Sequence, residues 1–140
     1  MDHFLVSVLK KALLIPDCHR PHHHRKAYSL MLKVASDIGI DEVVILGDYG
    51  DIFFLNGHGN SDPSVPNLFI NEIEDINKGL DEIDELFPKA KKIYLQGNHE
   101  YRFERYIEKR CPELFGITEF KRLIKIEERV VTVRDTRLGA

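Results

Sequence analysis

The sequence is poor in cysteine and has no long hydrophobic run. Its two cysteines, Cys18 and Cys111, lie in dissimilar surroundings, so they predict neither a disulfide framework nor a CxxC zinc site. No stretch is long enough to span a bilayer. The short apolar segment from Phe4 to Leu9 is followed by Lys10 and Lys11, which is the wrong order for a signal peptide. We therefore expect a reduced, cytoplasmic protein that does not enter the membrane.

An excess of basic charge is also missing. The 20 Lys and Arg residues are outnumbered by 23 Asp and Glu, for a formal charge of −3. Charge alone therefore gives no argument for binding to nucleic acid. A length of 140 residues suits one domain that can bury a core, and it is too short for two. We accordingly expect residues 1–140 to belong to a single domain.

Three short apolar runs of strand type lead directly into side chains that bind metals. The runs are 11–15, 42–46 and a third that begins at Lys92, and they are followed by PDCH, GDYGD and GNHE. In open α/β sheets, ligands lie at the carboxyl ends of the strands. The candidate side chains at that edge are Asp17, His19, Asp48, Asn98 and His99.

Helical patterns separate these strands. A helix of about fourteen residues is predicted from Lys26, with one apolar face formed by Tyr28, Met31, Ala35 and Ile38. A longer one is predicted from about Leu68 to Phe87. Its apolar stripe consists of Phe69, Ile73, Ile76, Leu80, Ile83 and Phe87. Its acidic residues, assigned to a solvated face, are Glu72, Glu74, Asp75, Asp81, Glu82, Asp84 and Glu85.

A third helix is predicted from Tyr101 to Arg110, whereas residues 117–133 fit either a charged helix or the start of a strand. The fold class is therefore α/β, with the order β-α-β-α-β-α. Right-handed crossovers make such a sheet parallel, with helices over its faces.

Several other polar residues have two readings. His22, His23 and His24 are consecutive and cannot all point into one site, so we interpret them as solvated loop residues, one of which could approach a phosphate. His58 lies in the breaker-rich loop from Asp51 to Asn67, a candidate substrate lid, and is interpreted as exposed rather than as a ligand. The basic residues of the third helix fit surface ion pairs, or one arginine acting as a phosphate clamp.

The three strand-end motifs together resemble the calcineurin-like metallophosphoesterases, including versions found in bacteriophages and prophages. The motifs are D-x-H at Asp17 to His19, G-D-x-x-D at Gly47 to Asp51, and G-N-H-E at Gly97 to Glu100. The likeness spans roughly Lys11 to Phe115. It implies that the β-α-β-α-β-α unit corresponds to the N-terminal half of that family's layered sandwich.

The resemblance also implies a site with two divalent metal ions. Asp17 and His19 would bind the first ion, Asp48 would bridge both, and Asn98 would bind the second. His99 would face the substrate as an acid or an oxyanion stabiliser. Oxygen and nitrogen ligands of these types suit Mn²⁺, Fe, Zn²⁺ or Mg²⁺. Asp51 is interpreted either as a residue that orients a ligand without binding metal or as a cap of its own loop.

One departure from the family bears on function. The resembled proteins carry a further histidine and a G-H-x-H pair on later strands, whereas no histidine follows His99 here. The tail from Val130 to Ala140 stops where those strands are expected to begin. We therefore expect a truncated or frameshifted member in which the second ion lacks most of its ligands.

Two functional hypotheses follow. The first is metal-dependent hydrolysis of a phosphate monoester or diester, by this chain alone or by a site that another chain completes. The second is an inactive remnant, or a module that binds metal or a partner. The phosphorylated substrate could be a nucleotide, a nucleic acid or a phosphoprotein. An incomplete sheet would leave an edge strand that favours self-association.

Overall fold

The computed structural model describes residues 10–55, 65–129 and 131–135. The strands are β1 (Ala12–Ile15), β2 (Glu42–Ile45), β3 (Lys91–Gln96) and β4 (Val131–Asp135). The helices are α1 (Arg25–Ile38), α2 (Val65–Leu86), α3 (Tyr101–Arg110) and α4 (Phe120–Leu123), with short 3₁₀ turns at Phe53–Leu55, Pro112–Leu114 and Ile126–Arg129. The segment from Phe4 to Leu9, His58 and residues 136–140 lie outside the described residues.

The four strands form one parallel sheet in the order β1-β2-β3-β4. Ile15 pairs with Ile45, and Ile45 pairs with Tyr94, so the first three strands are in step near their carboxyl ends. The loops that follow them therefore begin at nearly the same level of the sheet. This confirms the predicted α/β fold with a parallel sheet, and it places the three motifs at one edge.

Helix α1 covers the sheet with a face that differs from the predicted one. Tyr28, Leu32 and Ala35 are buried and Met31 is partly buried, whereas Ile38 is 55 % exposed. The expected burial of Ile38 is therefore wrong. Leu32 lies four residues after Tyr28, so a helical period fits it as well as it fits Met31. The pattern alone could not choose between these two neighbouring faces.

Helix α2 begins at Val65, about three residues before its predicted start. Pro66, which belongs to the loop predicted from Asp51 to Asn67, lies instead in the first turn of the helix, where a missing N–H costs no helical hydrogen bond. The predicted apolar stripe is confirmed at Ile76, Leu80 and Ile83, which are buried. The assignment of Glu72 to the solvated face is wrong, because this side chain is 2 % exposed.

The region left open between helix and strand contains both. Helix α4 and a 3₁₀ turn are followed by β4, which extends the sheet beyond the predicted three strands. Arg129 fastens this region to α2, because its guanidinium contacts Asp81 at 2.5 Å and Asp84 at 3.0 Å. The side chain of Arg129 is 8 % exposed, whereas Asp81 is 61 % exposed, so the guanidinium is buried and its partner Asp81 still faces water. The third helix has its predicted bounds, Tyr101–Arg110.

Candidate metal centre

The loops after β1 and β2 continue the parallel pairing of their strands. His19 N donates to the carbonyl of Asp48 at 2.9 Å, and Arg20 N donates to that of Tyr49 at 2.8 Å. Asp51 N then donates to the carbonyl of Arg20 at 3.0 Å. The D-x-H and G-D-x-x-D motifs are therefore held side by side by main-chain hydrogen bonds, independently of any ligand.

Three of the predicted ligands occupy left-handed backbone conformations. The φ angles are 30° at Asp17, 51° at His19 and 48° at Asp48. A residue with a Cβ is strained in this region, and such strain is concentrated at functional sites. The tight turns bring these side chains together at the edge of the sheet.

The carboxylates and imidazoles form two overlapping groups of donor atoms. In one, a ligand atom from each of Asp17, His19 and Asp48 lies within 4.8 Å of the others. In the second, the same holds for His19, Asp51 and His99. Carboxylate oxygen with imidazole nitrogen suits divalent transition metals, and the separations allow a shared ion. The residues present therefore fit the metal that the motifs imply.

Asp51 lies between two imidazoles. Its Oδ1 is 3.0 Å from His19 Nδ1 and 3.1 Å from His99 Nδ1, and the two rings meet edge to face with centroids 4.5 Å apart. These contacts orient both rings, as the first interpretation of Asp51 expects. They also bring its carboxylate as close to the donor cluster as a ligand would be. The pairing of the two loops, which the motif spacing does not reveal, produces this position.

His99 is held from three directions. Its main-chain N–H donates to Asp48 Oδ1 at 2.9 Å, and its Nδ1 lies 2.7 Å from the carbonyl oxygen of Asp51. A carbonyl accepts only, so Nδ1 carries the proton and Nε2 is free to accept. Arg102 Nη2 lies 3.0 Å from that Nε2, and Arg102 Nη1 donates to the carbonyl of Asp51 at 2.9 Å. Of the cations on α3, Arg102 is the one in contact with this histidine.

Asn98 lies beside these residues in the turn between β3 and α3, where it is exposed. Its main-chain carbonyl accepts a hydrogen bond from Arg105 Nη2 at 3.0 Å. The place of Asn98 next to His99 is compatible with the predicted ligand role, which stays a prediction.

Glu100, to which the sequence analysis gave no role, joins the second and third motifs. It is fully buried, and its carboxylate accepts five hydrogen bonds, from the N–H groups of Asp48, Tyr49, Gly50 and Gly97 and from the hydroxyl of Tyr94, at 2.7 to 3.2 Å. Burial raises the pKa of Glu100, and the hydrogen bonds oppose that rise by favouring the ionised form. The acidic residue at the end of the G-N-H-E motif is the sequence feature that could have indicated this role.

Two glycines allow the second and third motifs to touch. A Cβ on Gly97 would overlap Oδ1 of Asp48, and one on Gly47 would lie 2.9 Å from the Cα of Gly97. Gly47 also has a φ of 94°, which side-chain-bearing residues rarely adopt. The backbones can approach this closely only because neither residue has a side chain.

The consecutive histidines face different surroundings, as expected. His22 is exposed, and His24 caps α1 by accepting from Ala27 N at 3.2 Å. His23 packs edge to face on Tyr28 with ring centroids 5.2 Å apart and is partly buried, so it is less solvated than predicted. Burial lowers the pKa of His23.

Cys18 does not have the character of a metal ligand. It belongs to neither group of donor atoms, and burial raises the pKa of its thiol to about 11. The candidate donors are therefore oxygen and nitrogen atoms.

Comparison with known proteins identifies the family. No curated protein and no solved structure matches the chain. Within the described ranges, no helix is both long and apolar enough to cross a membrane. A family model of the calcineurin-like phosphoesterases matches residues 10–135, which include all three strand-end motifs. The chain therefore belongs to the calcineurin-like phosphoesterase family.

Proposed function

We propose that this protein hydrolyses a phosphate monoester or diester with the help of divalent metal ions held at the edge of the sheet. The observation that carries the proposal is the clustering of donor atoms from Asp17, His19 and Asp48 within 4.8 Å. These residues would hold the first ion. Membership of the family supports the reaction class and a phosphorylated substrate.

Asp48 and Asn98 would hold a second ion. When bound, such a pair of ions acidifies an attacking water and offsets the negative charge that builds on phosphorus. Asp48 and Asn98 give this ion two protein ligands, against the three that Asp17, His19 and Asp48 would give the first. We therefore expect one tight and one weak site per chain, with Mn²⁺ as the first metal to test.

His99 would act on the substrate and not on the metal. Its main-chain N–H is bonded to Asp48 and its ring contacts Asp51 and Arg102, which leaves little freedom of orientation. Replacement by Ala should lower turnover while the bound metal is retained. Loss of metal together with turnover would instead make His99 a ligand.

Close likeness to phage and prophage members stays a prediction.

A metal titration followed by an assay tests the proposal. Calorimetry with Mn²⁺ should show about one tight site, and hydrolysis of a generic phosphodiester should rise as Mn²⁺ goes beyond one equivalent. Hydrolysis that is indifferent to metal, or failure to bind metal at all, would contradict the proposal. Binding without turnover at any Mn²⁺ concentration would favour the second candidate, a metal-binding or partner-binding module.

Asp48→Asn gives the most direct test of metal binding, because Asp48 would bind both ions. Its metal content, measured by elemental analysis, should fall well below that of the wild type. Asp37→Asn is the matched control, since Asp37 is an exposed carboxylate on α1 that pairs with Lys33. Unchanged metal content in Asp48→Asn would contradict its assignment as a ligand.

A further inference from the structure

Arg102 is held at the candidate site by neutral acceptors. It is the second residue of α3, and its half-buried guanidinium contacts the carbonyl of Asp51 at 2.9 Å and His99 Nε2 at 3.0 Å. A cation in the first turn of a helix is opposed by the helix dipole. Its position therefore depends on these contacts with the site and not on the helix.

The guanidinium of Arg102 has unused N–H donors and a positive charge without an ion-pair partner among the described residues. An arginine has five N–H donors, and these contacts use two. No carboxylate among the described residues forms an ion pair with Arg102, whereas Arg20 is paired with Asp75 and Arg129 with Asp81 and Asp84. Arg102 is therefore a positioned cation whose charge is not neutralised by an ion pair in the described part of the chain.

The contact with Arg102 also limits what His99 can do in this arrangement. Its Nε2 accepts from Arg102, and its proton lies on Nδ1 towards Asp51. Nε2 can act on a substrate only after this contact opens, whereas the guanidinium still has N–H donors that these contacts do not use.

We propose that Arg102 binds the phosphoryl group of the substrate, with His99 and the Asp51 carbonyl orienting its guanidinium. The proposal rests on the proposed function and adds a residue to it. A planar guanidinium can give two parallel hydrogen bonds to two phosphoryl oxygens, which a lysine cannot reproduce. Arg102 thereby supplies charge and orientation at the substrate, separately from the metal ligands.

Inorganic phosphate is the probe, and binding is followed by NMR titration of the metal-free protein and of the Arg102→Gln and Arg102→Lys variants. We expect the wild type to bind phosphate, with the guanidinium Nε–H signal of Arg102 shifting during the titration. Affinity should fall about tenfold or more in Arg102→Gln and by less in Arg102→Lys. Arg110→Gln, a change at an exposed position in the last turn of α3, should leave affinity within about twofold. Thermal unfolding of each variant shows whether the fold is intact.

Hydrolysis by the Mn²⁺-loaded protein separates this proposal from the proposed function. Arg102→Gln should raise KM about tenfold while its metal content stays that of the wild type. If phosphate binding depends on Arg102 but the protein has no turnover, the result would support Arg102 as an anion site. It would contradict only the proposed function. Turnover with unchanged KM in Arg102→Gln, equal phosphate affinity in folded Arg102→Gln, or no phosphate binding by the wild type would overturn the assignment of Arg102.

Discussion

Two buried glutamates hold the loops that carry the candidate ligands. Glu100 bonds to the loops after β2 and β3, and Glu72 of α2 accepts a short hydrogen bond from the main-chain N–H of Ile52, next to Asp51. Ile52 has a φ of 49°, so this bond supports a strained residue. Burial raises the pKa of Glu72 to about 7 from an ordinary value of 4.5.

The raised pKa of Glu72 makes stability depend on pH. Native Glu72 holds its proton more tightly than the unfolded chain does, so its contribution is fully present below about pH 4.5 and is lost as pH rises to about 7. The difference corresponds to on the order of 3 kcal/mol. Glu72→Gln cannot ionise and should lack this loss. We expect urea unfolding at pH 5 and pH 8 to show a smaller decline in the variant, and an equal decline would refute the assignment.

Glu100→Gln should be strongly destabilising. The amide NH₂ of Gln would face donors in place of one carboxylate oxygen, so some of the five buried donors would lose their acceptor. A hydrogen bond to a charged group contributes about 1.5–3 kcal/mol, so we expect a loss of roughly 3 kcal/mol in chemical unfolding. Glu108→Gln, at an exposed position of α3, is the control and should change stability by less than about 0.5 kcal/mol.

The ligand motifs could be recognised from sequence, but these two glutamates were not given their roles. Glu72 lies four residues before Ile76 and three after Phe69, which places it on the apolar face of α2. That spacing could have predicted the burial of Glu72, but the many acidic residues around Glu72 led to its assignment to the solvated face. The role of Glu100 depends on loops from other strands, which a motif read along the chain does not show.

Helix α2 packs closely on the first two loops, and Gly79 makes this possible. A Cβ at Gly79 would lie 2.5 Å from the guanidinium of Arg20 and from the hydroxyl of Tyr49. Arg20 is 4 % exposed and is bonded to Asp75, while the hydroxyls of Tyr49 and Tyr28 lie 2.7 Å apart. The groups next to Gly79 therefore have little room to move.

Gly79→Ala should destabilise the protein despite the better helix propensity of Ala. The propensity gain is about 1 kcal/mol, whereas forcing extra volume into a packed, hydrogen-bonded region costs about 1–3 kcal/mol. We expect a lower melting temperature. Lys78→Ala, one residue earlier and exposed, is the control and should have little effect. A melting temperature in Gly79→Ala above that of the wild type would show that Arg20 and Tyr49 give way easily.

Sequence periodicity predicted α2 as a long amphipathic helix, but it gave Gly79 no role. Periodicity reports which residues of a helix are apolar, and so it found the stripe at Ile76, Leu80 and Ile83. It does not report what approaches a glycine from another element. The same limit applies to α1, where two neighbouring faces fit the helical period and only packing against the sheet shows which one is buried.

The described part of the molecule is built on a parallel sheet with the candidate metal ligands at one edge, and this arrangement was predicted from the sequence. Short apolar runs ending in metal-type residues predicted the first three strands and their order along the chain. Strand β4 could not be separated from a charged helix, because residues 117–133 mix apolar and charged residues without one clear period. The left-handed turns at Asp17, His19 and Asp48 were likewise unpredicted, since positive φ is uncommon for any residue other than glycine, even though Asp and His adopt it more often than most.

Metal binding should stabilise the whole fold. The candidate ligands Asp17 and Asp48 are like charges held close together, and a divalent cation that binds only the native state raises its stability. Mn²⁺ at about 100 times its dissociation constant should add about 2.7 kcal/mol. We expect a higher melting temperature with Mn²⁺, reversed by a chelator and reduced in Asp48→Asn but not in Asp37→Asn. An identical shift in Asp48→Asn would place the metal elsewhere.

The carboxylate of Glu100 also has a consequence for amide hydrogen exchange. The N–H groups of Asp48, Tyr49, Gly50 and Gly97 come from two loops about fifty residues apart in sequence, yet they end on the same side chain. Each can exchange with deuterium only when its bond to Glu100 opens, so the four should share one high protection factor as a cooperative unit, once each rate is compared with the intrinsic rate of its amide. The edge of the sheet that would bind substrate is then among its slowest-opening parts, and catalytic motion would have to come from side chains such as Arg102.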